Sequence, residues 1–273
     1  MRYLAPYQTG LWLAEYLNIR CQLCAVYRSL PQSQLSQSHS LLNPSLSSQH
    51  SFFTNIRKQF NQRFSSGFLC ARCHHSIKWL PKPFTVDIAS GMTLDIQAAT
   101  YYDYPMRQAI RAFKHHEDMT KLPLLLHALR QMPRPHGCHQ NNSVIVAMST
   151  TNQRLIKRGF DPVSILAAHL SKHWDIPLWQ DVKRTDDTVS QQGLTRAERL
   201  SNLNNAFTLI EPAPVKRLIL FDDVATTGAS LQALGRAAVL LSQSMSIVPS
   251  IATSKSHGDY YLYAYALAHG SHS

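Results

Sequence analysis

VKRLILFDDVATTGAS, residues 215–230, decides how this chain is read. Leu218 to Phe221 form a short apolar run of the kind that fills a buried parallel strand. Two adjacent carboxylates, Asp222 and Asp223, follow at the strand's C-terminal end. Ala225, Thr226, Thr227, Gly228, Ala229 and Ser230 then make a small, hydroxyl-rich turn. From Leu231 to Leu241 the apolar residues Leu231, Leu234, Ala238 and Leu241 recur at helical spacing, so the turn opens onto a helix N-terminus. Ligands of open α/β sheets sit at the carboxyl ends of strands. Backbone N–H groups and hydroxyls at a helix N-terminus suit a phosphate. Ionised carboxylates only accept hydrogen bonds, which suits the two vicinal hydroxyls of a ribose. The plainer reading is a strand–turn–helix corner in which Thr227 or Ser230 caps the helix.

The segment resembles the motif by which type I phosphoribosyltransferases bind 5-phosphoribosyl 1-pyrophosphate (PRPP): four apolar residues, two acidic ones, then a Thr/Gly-rich loop. On that resemblance Asp222 and Asp223 hold the ribose hydroxyls and Ala225 to Ser230 hold the 5-phosphate.

A chain of 273 residues has room for a full core and a second, smaller module. A hydrophobic fraction of 44% describes a globular protein, neither disordered nor membrane-embedded. The opening stretch, MRYLAPYQTGLWLAEYLNIRC, is interrupted by Pro6, Glu15 and Asn18 and has no A-x-A-like cleavage site, so a secretory leader is not expected. Leu11, Ala14 and Leu17 instead predict a short amphipathic helix. The expected compartment is the cytoplasm, without membrane insertion. Lys and Arg total 27 against 16 acidic residues, a formal charge of +11, which favours anionic partners: phosphorylated substrates, nucleic acid or an acidic surface.

Four of the five cysteines fall in two pairs, Cys21-Gln-Leu-Cys24 and Cys70-Ala-Arg-Cys73. C-x-x-C puts two thiolates on one tight turn, and two such turns supply the S4 set that structural zinc prefers. The gap between pairs is lengthened by residues 31–51, a Ser/Gln-rich stretch with no Lys, Arg, Asp or Glu, which reads as a flexible insertion. Lengthening such a loop adds closure entropy only logarithmically. A disulfide pair and a thioredoxin-type redox motif are the rivals; a cytosolic setting disfavours the first and the lack of a βαβ context the second. His74 and His75 follow Cys73 and are alternative ligands; Cys138 stands alone without a role.

Beyond about Ala98 the pattern becomes that of a catalytic domain. Tyr101, Tyr102 and Tyr104 lie in a strand-to-turn segment. Met106, Ile110 and Phe113 mark the apolar face of a helix that carries Arg107, Arg111 and Lys114 on its other faces. A Leu-rich helix is expected over Leu122 to Met132, and a first central strand over Ser143 to Met148. Asp161 caps a helix running to His173, with Pro162 at its first position. Alternating strands and helices predict a parallel sheet with crossover helices. Arg154, Lys157 and Arg158 follow the first central strand, either facing a pyrophosphate or forming a solvated basic helix end. Lys183 to Asn202 is a long polar loop, either a linker or a lid in which Arg184, Gln191, Gln192, Arg196 and Arg199 close over a phosphate-bearing ligand. Ser246 to Thr253 is a final edge-strand candidate, and the His/Tyr-rich residues after Lys255 read as a tail.

Taken together, these features resemble the ComF family of phosphoribosyltransferase-like proteins. The resemblance runs along nearly the whole chain: the two C-x-x-C pairs, YYDYPMRQAIRAFKHH, RLIKRGF, the stretch from Arg184 to Asn202, and LILFDDVATTGAS. The chain departs from the family at Ala147-Met148-Ser149-Thr150, where prolines are usual, and at Asp161-Pro162, where Asn-Gln is common. The resemblance implies an α/β fold of the type I phosphoribosyltransferase kind over residues 98–255. It adds an N-terminal zinc-ribbon module over 1–80 and a tail over 256–273. It implies a pentosyl-transferring glycosyltransferase that displaces pyrophosphate from PRPP, with Mg²⁺ on the pyrophosphate and structural Zn²⁺ on Cys21, Cys24, Cys70 and Cys73. It further implies a part in DNA uptake during natural transformation, with a competence helicase, single-strand DNA-processing proteins and single-stranded DNA as candidate partners. The competing expectation is a non-catalytic protein- or nucleic-acid-binding component of that machinery.

Overall fold

The computed structural model describes residues 21–24, 26, 69–184, 206–247 and 260–270. The chain forms two compact units, Met1–Ile77 and Lys78–Ser273. In the first, helix α1 (Ala71–Ser76) begins directly after Cys70, whose sulfur accepts the amide of Cys73. The segment 11–18, for which a helix is expected, and the insertion 31–51 lie outside the described residues.

The second unit is built on a six-stranded sheet in the order β1-β2-β8-β7-β3-β4. Its strands are β1 (Phe84–Ala89), β2 (Met92–Tyr101), β3 (Ser143–Ala147), β4 (Leu178–Trp179), β7 (Arg217–Ala225) and β8 (Tyr261–His269). Only the β1–β2 hairpin is antiparallel; the remaining pairings are parallel. Helices α2 (Met106–His116), α3 (Leu122–Leu129) and α5 (Pro162–Trp174) pack on one another, with α3 against β2 and β8 and α5 against β3 and β7. Helix α6 (Ala229–Ile247) covers β1 and β7 instead. A short helix α4 (Asn152–Arg158) follows β3, and a separate hairpin pairs β5 (Val182–Arg184) with β6 (Phe207–Leu209). This is the mostly parallel, helix-flanked α/β sheet the sequence predicts.

The local rules are visible in the caps. Asp161 accepts the amide of Val163 at 3.1 Å ahead of Pro162, so the helix from residue 162 starts as expected. Thr151 caps α4, and Gly159, at φ +73°, ends it with its amide on the Leu155 carbonyl. Periodicity also holds on α2, whose buried residues are Met106, Ala109, Ile110 and Phe113.

Three expectations are corrected. Residues 261–269, read as part of a tail, form β8 between β2 and β7, with Tyr101 and Ala225 both opposite His269. Alternating Tyr and Ala in YLYAYALAH gives no apolar block, yet tyrosine has high strand propensity and small residues fit a strand covered on both faces. The strand through Leu218–Phe221 continues to Ala225, so the acidic doublet lies within it. The edge-strand candidate 246–253 begins instead as the last turn of α6, since Ser246 and Ile247 are helical; its remainder lies outside the described residues.

Candidate functional site

The register of the sheet brings the chemistry together. β3 and β7 run side by side with Ala147 opposite Phe221, and the Met148 amide donates to the Phe221 carbonyl at 2.8 Å. The segments leaving both strands therefore share one edge of the sheet, at the carboxyl ends where α/β ligands sit. A cleft of about 340 Å³ opens there. Asp222, Asp223, Thr226 and Ser230 line it from the β7 corner, Ser149, Thr150, Arg154 and Arg158 from the β3 corner, and Arg184 from β5.

Both acidic side chains are buried, Asp222 at 8% and Asp223 at 3% exposure. The Asp222 carboxyl accepts the Asp223 amide at 2.8 Å. Burial, together with the neighbouring Asp223 charge, pushes Asp222 up to about 8, against a partial opposing pull from Lys114. Asp222 is thus held largely protonated near neutral pH, and the Lys114 ammonium lies 2.5 Å from Asp223 Oδ2.

The hydroxyl-rich turn divides its roles. Thr226 and Ser230 face the cleft. The Ala225 carbonyl is taken by the Gly270 amide at 2.9 Å, so Ala225 belongs to the sheet. Thr227 accepts the Ala229 amide at 3.4 Å, the capping role held open above. Gly228 adopts φ +73°, and a Cβ there would stand 2.5 Å from Ile96 Cδ1 and 3.0 Å from Phe84 and Val86. Only glycine meets both demands. The first turn of the 19-residue helix α6 follows at once, so its positive end sits beside the cleft.

Of the basic candidates, Arg154, Arg158 and Arg184 reach the cleft. Lys157 lies on the same short helix as the first two, and its side chain is outside what is described. Arg184 is the last residue of a β strand and not part of a loop; its guanidinium also stacks 5.3 Å from the Phe207 ring. Gln191, Gln192, Arg196 and Arg199 lie outside the described residues.

Helix α2 contributes residues that sequence reasoning did not assign to the site: Arg111, Lys114 and His115, joined by Tyr102 just before it. A signal was available, because positions 111, 114 and 115 are spaced i, i+3, i+4 and so share one helix face. Burial and then the nearby Arg158, Lys114 and Arg111 charges hold His115 below its ordinary range, as a neutral imidazole. The cleft thus combines a paired, partly protonated carboxylate doublet, two hydroxyls at a helix N-terminus and a wall of guanidinium groups, with the Lys114 ammonium engaged by Asp223. Such a set can grip a ligand that carries both vicinal hydroxyls and anionic groups.

In the N-terminal unit, the sulfurs of Cys21, Cys24, Cys70 and Cys73 all lie within 4.8 Å of one another, as the paired spacing predicts. Cys24 and Cys70 are 3.9 Å apart. A tetrahedral zinc with Zn–S bonds of about 2.3 Å spaces its sulfurs by roughly 3.8 Å, so small side-chain movements would let the four thiols hold a metal ion. No disulfide links the four. His75 is turned away to the Ala71 carbonyl at 2.6 Å.

No family model matches the chain. Competence protein F of Haemophilus influenzae is 33% identical over 144 residues, which cover 50% of this chain and 62% of that protein. The DNA utilization protein YhgH of Escherichia coli K12 is 34% identical over 91 residues, 32% of this chain and 39% of the relative. YhgH of Salmonella typhi is 34% identical over 89 residues. The chain thus spans less than two thirds of the length of these relatives, and the similarity bears out the resemblance drawn from the motifs. Among the described residues no helix is long and apolar enough to cross a membrane.

Proposed function

We propose that this ComF-like chain binds PRPP in the cleft beside β7 and transfers its phosphoribosyl group to an acceptor nucleophile, in the service of DNA uptake. The observation that carries the reading is the buried pair Asp222–Asp223 opening onto the same cleft as Thr226, Ser230 and the basic residues of α2 and α4. A scaffold gains nothing from burying two carboxylates side by side, since each costs desolvation and the two repel. A ribose repays that cost by donating its vicinal hydroxyls to them. Thr226, Ser230 and the α6 N-terminus would hold the 5-phosphate, and Arg154, Arg158 and Arg184 the pyrophosphate, with Lys157, Gln191, Arg196 and Arg199 as further candidates. Departure of pyrophosphate leaves positive charge at C1, in an oxocarbenium-like state that the carboxylates stabilise. The protein's part is positioning and charge stabilisation.

The four-cysteine cluster holds structural Zn²⁺ on this reading. The resemblance puts Mg²⁺ on the pyrophosphate, so binding is to be measured with and without it. The role in DNA uptake is supported by the names of the relatives, competence protein F and DNA utilization protein. A competence helicase, single-strand DNA-processing proteins and single-stranded DNA are the partners proposed with it.

Calorimetric titration with PRPP tests the site, comparing the parent with an Asp222→Asn/Asp223→Asn double variant. Binding that the double variant loses supports the reading and justifies an acceptor screen by pyrophosphate release. A folded, zinc-loaded protein that binds no PRPP turns attention to the second reading, a non-catalytic nucleic-acid- or protein-binding component. The formal charge of +11 favours that alternative. DNA affinity that falls steeply with salt but survives loss of the doublet would support it.

A further inference from the structure

The cleft holds a second ordering device besides the doublet itself. Each carboxylate commits one oxygen to a protein nitrogen: Asp222 Oδ1 to the Asp223 amide at 2.8 Å, and Asp223 Oδ2 to Lys114 Nζ at 2.5 Å. Both carboxyl groups line the cleft, where they can meet two vicinal hydroxyls. The lysine is well placed to hold this arrangement. Its side chain is 26% exposed against 4% for Asp223, so the pair is shielded from water and salt. Its helix is fixed in turn by Met106, Ile110 and Phe113, which are almost fully buried, and Phe113 meets Phe160 edge-on at 5.6 Å. Arg111, Arg154 and Arg158 line the cleft as well, but no ion pair joins them to the doublet among the described residues.

We infer that Lys114 is a positioning residue for sugar recognition: it fixes the side chain of Asp223 so that the doublet presents an ordered hydrogen-bonding pair to a ribose diol. The inference rests on the ribose-phosphate reading of the cleft. Without the ammonium, a carboxylate at 3% exposure loses its counter-ion and either turns away or takes up a proton. The guanidinium groups and the α6 N-terminus do not depend on Lys114, so a bare phosphate should still bind. The role is therefore separable from general anion binding.

The test compares ribose 5-phosphate, followed by calorimetry, with inorganic phosphate, followed by phosphorus NMR, on the full chain. Lys114→Met should weaken ribose 5-phosphate binding about tenfold or more, the worth of one charge-assisted contact, while inorganic phosphate stays within about twofold of the parent. Lys114→Arg should recover most of the loss, since it restores the charge at similar reach. Lys114→Gln is a second uncharged variant, with a smaller loss because its amide still donates. A Lys114→Met protein that binds ribose 5-phosphate like the parent overturns the role and leaves the ribose reading standing. Equal loss of both ligands marks a structural role and also overturns it. A parent that binds neither ribose 5-phosphate nor PRPP brings down the reading itself, and the inference with it.

Discussion

Two crowded clusters of acidic side chains, one of thiols and one of carboxyls, lie among the described residues, and they are accommodated differently. The four thiols of the N-terminal unit lie within 4.8 Å of one another, and burial pushes the Cys70 and Cys73 thiols up. The helix that carries Cys73 also carries Arg72, with His74 and His75 in its last turn. The carboxyl pair of the cleft, by contrast, has Lys114 against Asp223, and burial with the neighbouring Asp223 raises Asp222. The thiol cluster could be completed from outside by a metal ion. The doublet is balanced from within and can be opened by a ligand that replaces nothing essential to the fold.

Metal removal should break the comparison most visibly. A strong chelator is expected to collapse the order around Cys21–Cys24 and Cys70–Cys73, as coupling of binding to folding is worth about 10 kcal/mol or more in small zinc modules. Release of one zinc per chain, read with a metal-sensitive dye alongside thiol titration, checks this. A chelated protein with unchanged thiol accessibility would remove the distinction.

Next in size is the Asp222→Asn/Asp223→Asn variant. It should keep its fold and zinc but bind PRPP about 100-fold more weakly or worse, since two charge-assisted contacts are worth roughly 3 kcal/mol together. Calorimetry measures it. Gly228→Val probes the wall of the same site. Its Cβ would meet Ile96 Cδ1 at 2.5 Å with φ at +73°, so a loss of about 2 kcal/mol or more in denaturant unfolding is expected.

The smallest effect concerns protons. Asp222 is raised from 3.8 to about 8 by burial and by Asp223. Between those values the folded state binds more protons than the unfolded one, so stability falls as pH rises through that window. Asp222→Asn should flatten this dependence and raise the melting temperature of the ligand-free protein at pH 8 by a few degrees, about what 1–2 kcal/mol gives a chain of this size. Scanning calorimetry from pH 5 to 9 decides it; an unchanged slope would mean that the doublet is not protonated as described.

What was legible in the sequence and what was not follow the same division. C-x-x-C spacing encodes the thiol cluster locally, so two turns suffice to read it. The β7 corner was legible for a similar reason: apolar run, acids and hydroxyl loop are contiguous. Its wall was not. Lys114 lies far from Asp223 in the chain, and it reads as one more surface cation on an amphipathic helix until the sheet places that helix over the β7 end. Arg184 was taken for the start of a loop because a three-residue strand is too short to show periodicity. Strand β8 was missed because its alternating tyrosines and alanines carry no continuous apolar signal, although Ala264, Ala266, Leu267 and Ala268 are almost fully buried.

The place of β8 has a consequence for how the molecule comes into being. It is the last described strand in chain order, yet it is inserted between β2 and β7, with Ile96 opposite Ala264 and Leu220 opposite the same residue. Until residues 261–269 have left the ribosome, β1–β2 and β7–β3–β4 are two half-sheets with facing open edges. Pairings across so long a stretch of chain are slow to form, and open strand edges invite association in the meantime. The cleft, whose Ala225 end is tied to Gly270 and whose Tyr102 amide is tied to His269, is therefore completed only once β8 has been inserted between the two halves.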